Sequence, residues 1–423
     1  MASFGPALLI GFGMTAQRKL LFLLPFAPRL DAAHGGGKAL AQLLARLAAR
    51  HRLALVYLRG AEEPPLEERL RARCELVEEI RRPWTAKTLA HRWMRRGRSL
   101  VSLLADKPMW VADWSSHAYA TRVRAVAERW RPDLVQMEYH IMGQYLSSLR
   151  ACRAPRVLTE HEPAERAAPY ILSSSLIAGL LNRCDRRAWG RFERSVVHGV
   201  HAIVVFTEAD QAAVERLKPD ARIVRIPLGT DIPDESLDPT GSLPPSLLFV
   251  GNFLHPPNVE AALRLVRSIF PKVQVRYPEL HLYLVGEQPP AELTRMATLT
   301  THITGRVPDP TPYLDQAAVF VAPLQSGGGM RVKVLEALAA GKAIVATPRA
   351  VEGLSVVHGE QLCLAETDEG LARAIVELLD APERRRRLAS RARAWACAHL
   401  GWDASLADYE ALYSQLIDPN RPS

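Results

Sequence analysis

A chain of 423 residues, 48% hydrophobic and 23% charged, has room for two or three domains and the composition of an ordinary soluble globular protein. No run reaches the roughly 18 to 20 apolar residues of a membrane-crossing helix; the longest, Leu20 to Ala27, is broken by Pro25. The net charge of +9 comes with no nucleic-acid-binding motif, so nucleic acid is not an expected partner.

Residues 1–17 form an extension. Within it Gly11-Phe12-Gly13-Met14-Thr15-Ala16 fits a dinucleotide fingerprint formally, but a strand-like run follows instead of a helix, so dinucleotide binding is not expected. Arg18 and Lys19 precede the Leu20–Ala27 run as in a signal peptide, yet Arg29, Asp31 and the following glycines do not suit a cleavage site. The five scattered cysteines are expected to be reduced core residues of a cytoplasmic protein.

Short apolar runs alternate with helical stretches, the pattern of parallel sheets in an α/β fold. The first half carries strand candidates Leu20–Leu24, Leu53–Leu58, Leu134–Met137, Arg156–Thr159 and Ala202–Phe206, with a glycine loop at Gly35-Gly36-Gly37 and helical spacing over Lys38–Arg50. Thr207 with Asp210 forms a helix capping box. Residues 81–100 carry seven basic residues, no acid, and Trp84, Trp93 and Met94, which suits either a solvated helix or a segment that docks on anionic lipid headgroups.

Asp231 to Ser246 has four prolines and no helical period, and is the expected linker. Beyond it come strand candidates Leu247–Val250, Leu280–Val285, His302–Thr304, Val319–Ala322, Ala343–Ala346 and Leu362–Leu364. Between them lie helices at Val259–Phe270, Val332–Ala340 and Glu369–Leu379. Arg384 to Arg387 are expected on the wet face of a helix, and Trp402 to Leu416 is a last helix.

The most informative segment runs from Val319 to Gly341. A strand enters Gly327-Gly328-Gly329 and Met330, and a helix follows with Arg331 and Lys333 in its first turn and Glu336 one turn later. Bare amides and a positive dipole at a helix N-terminus suit a phosphate, and a carboxylate one turn in can take two ribose hydroxyls.

Residues 247–354 resemble the nucleotide-binding domain of family 4 glycosyltransferases, retaining enzymes of GT-B fold. The motifs come in order: Leu248-Phe249-Val250-Gly251-Asn252, His281-Leu282-Tyr283-Leu284-Val285-Gly286, Ile303-Thr304-Gly305-Arg306-Val307, then the glycine loop with Lys333-Val334-Leu335-Glu336-Ala337. Pro256-Pro257-Asn258 and Met330-Arg331-Val332-Lys333 resemble the transferases of bacterial exopolysaccharide clusters. In the first half, Gly36 and Gly37, His161 within Thr159-Glu160-His161, and Ile226 to Asp231 resemble the acceptor-side loop, a sugar-contacting histidine and the interdomain hinge.

The resemblance implies two Rossmann-like domains, 18–230 and 247–400, facing across a cleft, joined by 231–246, with 401–423 packing back on the first. It implies a nucleotide-diphosphate sugar as donor and a glycan, lipid-linked or small-molecule acceptor; with the basic stretch 81–100, a cytoplasmic protein that can sit peripherally on the inner face of the membrane is expected. Neither cofactor nor metal is expected. Glu336 would hold the ribose. Gly251, Asn252, Asn258, Gly327, Gly328, Gly329 and Met330 would line the donor site, and Arg306 and Val307 would lie against the base. His161 would contact the transferred sugar, with Glu160 or Glu162 holding its tautomer, and Gly36 and Gly37 would approach from the first domain.

Two departures stand out. Gly328 occupies the place of the first glutamate of the family's Glu-x7-Glu, and the stretch Asn252 to Asn258 lacks the Arg and Lys that hold the donor phosphates. That load falls on Arg331, Lys333 and loop amides. A GT-B sugar-nucleotide epimerase, or a non-catalytic GT-B protein with a decayed donor site, is the alternative.

Overall fold

The computed structural model describes residues 17–32, 35–61, 63–82, 97–98, 101–102, 104, 107–161, 176–327 and 331–418. The fingerprint at 11–16, Glu162, Gly328, Gly329, Met330 and most of the basic stretch (83–96, 99–100) lie outside them.

Two open sheets of parallel strands form the frame. The first contains β1 (Lys19–Leu24), β2 (Arg52–Arg59), β3 (Leu76–Arg81), β4 (Leu134–Glu138), β5 (Arg156–Thr159), β6 (Ala202–Val205) and β7 (Ile223–Arg225), in the order β3-β2-β1-β4-β5-β6-β7. The second contains β8 (Ser246–Val250), β9 (His281–Val285), β10 (Thr301–Gly305), β11 (Val319–Ala322), β12 (Ile344–Ala346) and β13 (Cys363–Leu364), in the order β10-β9-β8-β11-β12-β13. This is the doubly wound Rossmann arrangement twice over. Strand order reverses between β1 and β4 and between β8 and β11, and the crevice beyond those strand ends is where such sheets bind ligands.

The central strands are apolar throughout because helices cover both faces; Leu20 to Leu24 are fully buried. The same burial makes the Leu20–Leu24 run a central strand. β3 and β7 were not expected. They are the edge strands of the first sheet, half-buried and mixed in polarity (LVEEIR and IVR).

Gly35, Gly36 and Gly37 are not a loop. They form the first turn of helix Gly35–Leu47. The Val332–Ala339 helix starts at Arg331 as its N-cap and is closed by Gly341 at φ +70°. Thr207 accepts the Asp210 amide at 3.1 Å as a cap.

Ser246 opens β8 rather than closing the linker, whose remainder is bound at both ends. Asp231 accepts from Gln42 at 2.6 Å and Arg46 at 2.7 Å, both on the first domain. Beyond it, Arg393 donates to the carbonyls of Pro233 and Asp234, and buried Lys342 to that of Asp238. Arg385 donates to the Thr240 carbonyl and to those of Leu378 and Leu379. Arg385 is thus buried, so the four-arginine run is not wholly wet. Cys184 and Cys397 are exposed, against the expectation of core cysteines.

The final helix, Trp402–Ile417, lies on the first sheet. Trp402 donates to Gln42 at 3.1 Å, Ser405 to the Pro227 carbonyl at 2.7 Å, and Tyr413 to Gln136. Among the described residues no helix is long and apolar enough to cross a membrane.

Candidate functional site

On the second domain the site begins where β8 ends. Gly251 turns the chain, and the Asn258 amide donates to the Asn252 carbonyl at 2.7 Å, so the helix starting at Pro256 grips the turn. A side chain at Gly286 would put its Cβ 1.7 Å from the Gly251 carbonyl oxygen, so two backbones meet here and only glycine fits.

After β11 the chain reaches Gly327, at φ +95°, with the Arg331 guanidinium packed where its Cβ would point. Lys333 turns inward. Its Nζ donates to Asn258 Oδ1 at 2.5 Å and lies 4.6 Å from the centre of the Phe249 ring. Burial, with Arg331 nearby, pulls its ammonium down to about 7.

Glu336 does not pair with Lys333, its neighbour one turn back. It forms a hydrogen-bonded ion pair with Lys38, on the Gly35–Leu47 helix of the other domain, and both side chains are about a third exposed. The two helix starts touch: a Cβ on Gly35 would lie 2.5 Å from Val332 Cβ. Arg306, exposed beyond β10, also reaches across, to Asp31 at 3.6 Å. Val307 packs beside it against the core.

Gly36 and Gly37 sit in that first helical turn. His161 follows β5. Its Nε2 is 2.7 Å from Glu138 Oε2, its ring stacks on Tyr139 at 3.8 Å, and Phe206 meets it edge-on at 5.1 Å. Tyr139 adopts φ +68°, a strained conformation for a residue with a side chain.

The partner of His161 is therefore Glu138, not the adjacent Glu160. Side chains alternate along a strand, and Glu160 pairs with His140 Nδ1 at 2.8 Å instead. Glu138 is 1% exposed. Its other oxygen accepts from Gln136 at 2.6 Å and Thr159 at 3.1 Å. The missed signal was Gln136 and Glu138 themselves, two polar residues on one face of a buried strand.

The cleft thus opposes two helix starts, with Lys38 on the Glu336 carboxylate, Lys333 turned inward onto Asn258 and Arg331 beside Gly327. That combination suits an anion carrying vicinal hydroxyls.

Residues 34–229 match the family model described as a glycosyl transferase 4-like domain, and residues 244–381 match glycosyl transferases group 1. A phosphatidyl-myo-inositol mannosyltransferase of Mycolicibacterium smegmatis is 27% identical over 244 residues, 55% of this chain and 58% of that protein. A 44.6 kDa protein in the cps region of Klebsiella pneumoniae is 25% identical over 140 residues, 31% of this chain and 36% of that protein. The chain therefore spans under two thirds of the length of these curated relatives. Among solved structures, a sucrose-phosphate synthase from Thermosynechococcus elongatus superposes with a TM-score of 0.67 at 20% identity, covering 95% of this chain and all of that one. Anabaena HepE in complex with UDP and glucose superposes at 0.62 and 14% identity, with 95% and 100% covered. Both likenesses are of fold.

Proposed function

Because the chain belongs to the family 4 glycosyltransferases, whose N- and C-terminal domain models it matches in order, we propose that it moves a sugar from a nucleotide-diphosphate sugar to an acceptor hydroxyl, with retention of anomeric configuration. The observation that carries this reading is Glu336. It stands one turn inside the helix that follows the glycine loop, at the strand-order switch of the second sheet, and faces the opposite domain.

In this reading Glu336 takes the ribose hydroxyls and Arg306 and Val307 flank the base. Gly327 to Met330, with Gly251, Asn252 and Asn258, surround the diphosphate. Arg331 and Lys333 stabilise the charge left when the C1–oxygen bond breaks and its electron pair stays on phosphate. The acceptor oxygen bonds to C1, and its proton passes to that phosphate oxygen. Gly36 and Gly37 approach with backbone amides. His161, its Nε2 bound to Glu138, offers Nδ1 to the transferred sugar. A relative named for phosphatidyl-myo-inositol and a superposing structure holding UDP are compatible with this.

A lipid-linked acceptor at an anionic membrane surface fits the basic stretch 81–100 and a second feature. Helix Leu176–Gly199 exposes Arg183, Arg186, Arg187 and Arg194 beside Leu180, while its acids, Asp185 and Glu193, are buried. These features support a peripheral position at the inner membrane face. Charge reversal of Arg183, Arg187 and Arg194 is expected to abolish co-sedimentation with anionic liposomes; undiminished co-sedimentation refutes the surface.

For the donor site, a thermal-shift panel of UDP, GDP, ADP and their sugars is expected to give one strong shift, lost in Glu336→Ala. A variant that keeps both shift and transfer activity refutes the ribose assignment.

A further inference from the structure

We infer that Lys38 is a catalytic cation delivered from the first domain, which alternates between Glu336 in the empty cleft and the donor diphosphate in the loaded one. The inference rests on the nucleotide-sugar reading of the Glu336 site.

Three observations carry it. First, the turn from Asn252 to Asn258, where a basic pair would meet the donor phosphates, holds no Arg or Lys. Second, Lys333 does not wait as a free cation: in the empty cleft its Nζ donates to Asn258 Oδ1 and lies on the Phe249 ring, where burial disfavours its charge, so it leaves the phosphates short of a second ready cation. Third, Lys38 reaches across the cleft from the start of helix Gly35–Leu47 to Glu336, at the place where the Gly35 and Val332 helix starts touch. Lys38 is thus a flexible ammonium on the carboxylate, beside the junction of the two helix starts, whose bare amides favour an anion.

Ribose hydroxyls binding Glu336 displace Lys38, whose nearest new anion is the diphosphate between those two helix starts. When the sugar–oxygen bond breaks, the electron pair left on the phosphate oxygen is then met by a charge that only the closed cleft supplies. Lys38 thereby competes with the nucleoside part of the donor and assists its phosphates, and the two effects have opposite signs.

The test compares Lys38→Met with wild type, by calorimetric titration of whichever of UDP, GDP or ADP binds, and of its monophosphate. The variant should bind the monophosphate about two- to fivefold more tightly and the diphosphate about fivefold more weakly. Lys38→Arg should restore the diphosphate preference. Equal changes for both nucleotides, or none, overturn the inference while leaving the nucleotide site intact. If wild type binds no nucleoside diphosphate, the donor-site reading itself fails, and this inference with it. If Lys38→Met does not fold, Lys38→Gln carries the same comparison.

Discussion

At the residue scale the site depends on who holds whom. Lys333 shows this through pH. Its ammonium titrates near 10.5 in the unfolded chain and at about 7 in the empty folded domain. Between those values the unfolded chain binds a proton that the folded chain lacks, so this group makes the empty protein more stable as pH rises from about 7 towards 10.5. Below 7 both states are protonated, and the full cost of burying the ammonium is present. A bound diphosphate should restore the charge. Nucleotide binding at pH 8 is therefore expected to take up close to one proton, read by calorimetry in buffers of different ionisation enthalpy. Affinity should weaken by up to about tenfold per unit between pH 7 and 9. Proton uptake that persists in Lys333→Met refutes the assignment. Glu138 acts on a neighbour instead. In Glu138→Gln the bond to His161 loses its charge assistance, a difference of about 1 kcal/mol or slightly more, so kcat should fall about tenfold with KM little changed. An unchanged kcat would mean that His161 does not need its partner. Glu336, Arg331 and Gly327 were legible in the chain because the glycine run fixes their spacing. Lys38 and Glu138 were not, since their partners lie 298 and 23 residues away and only the folded sheets bring them together.

Among elements, strands covered on both faces announced themselves as apolar runs, which is why β1, β8 and β11 were readable. β3 and β7 are edge strands; one is interrupted by Glu78 and Glu79 and the other is three residues long, so neither carries a run. The Gly35 turn was unreadable as helix because three glycines in sequence disfavour helix locally. Packing overrides that preference: any Cβ at Gly35 meets the β-branched Val332. Gly35→Ala removes a glycine from a helix, which by itself stabilises, yet it forces the two helix starts apart. The expected outcome is an unchanged or higher Tm with kcat down at least tenfold, or about 1.4 kcal/mol of transition-state stabilisation. Val332→Gly in the same chain removes the opposing Cβ and should recover most of the loss. Full activity in Gly35→Ala alone would show that the helix starts need not touch.

For the whole molecule, the connections between the domains set what can move. The sequence marks residues 231–246 as one linker, but proline and glycine content cannot reveal that Lys342, Arg385 and Arg393 bind most of it to the second domain. Asp231 is held by Gln42 and Arg46 of the first domain, and Pro233 by Arg393 of the second. Between them only Ile232 joins the two sets of anchors. The return crossing is as short. Helix Pro382–His399 packs with the second domain, Trp402 is fixed to Gln42 of the first, and the Leu400 carbonyl accepts the Thr230 amide at 2.8 Å beside the first crossing. Two short crossings side by side, at Ile232 and at Leu400, whose amide bonds the Ala396 carbonyl and whose carbonyl bonds the Thr230 amide, define one axis, and closure over a donor should turn about it. Hydrogen exchange measured with and without the bound nucleotide is expected to change at 230–233 and 400–402. The Leu237 amide, bonded to the Ala340 carbonyl, and the Ser242 amide, bonded to that of Gln316, should keep their protection in both states. A change spread evenly over 234–246 would mean that the linker bends along its length and that the arginine and lysine anchors release during closure.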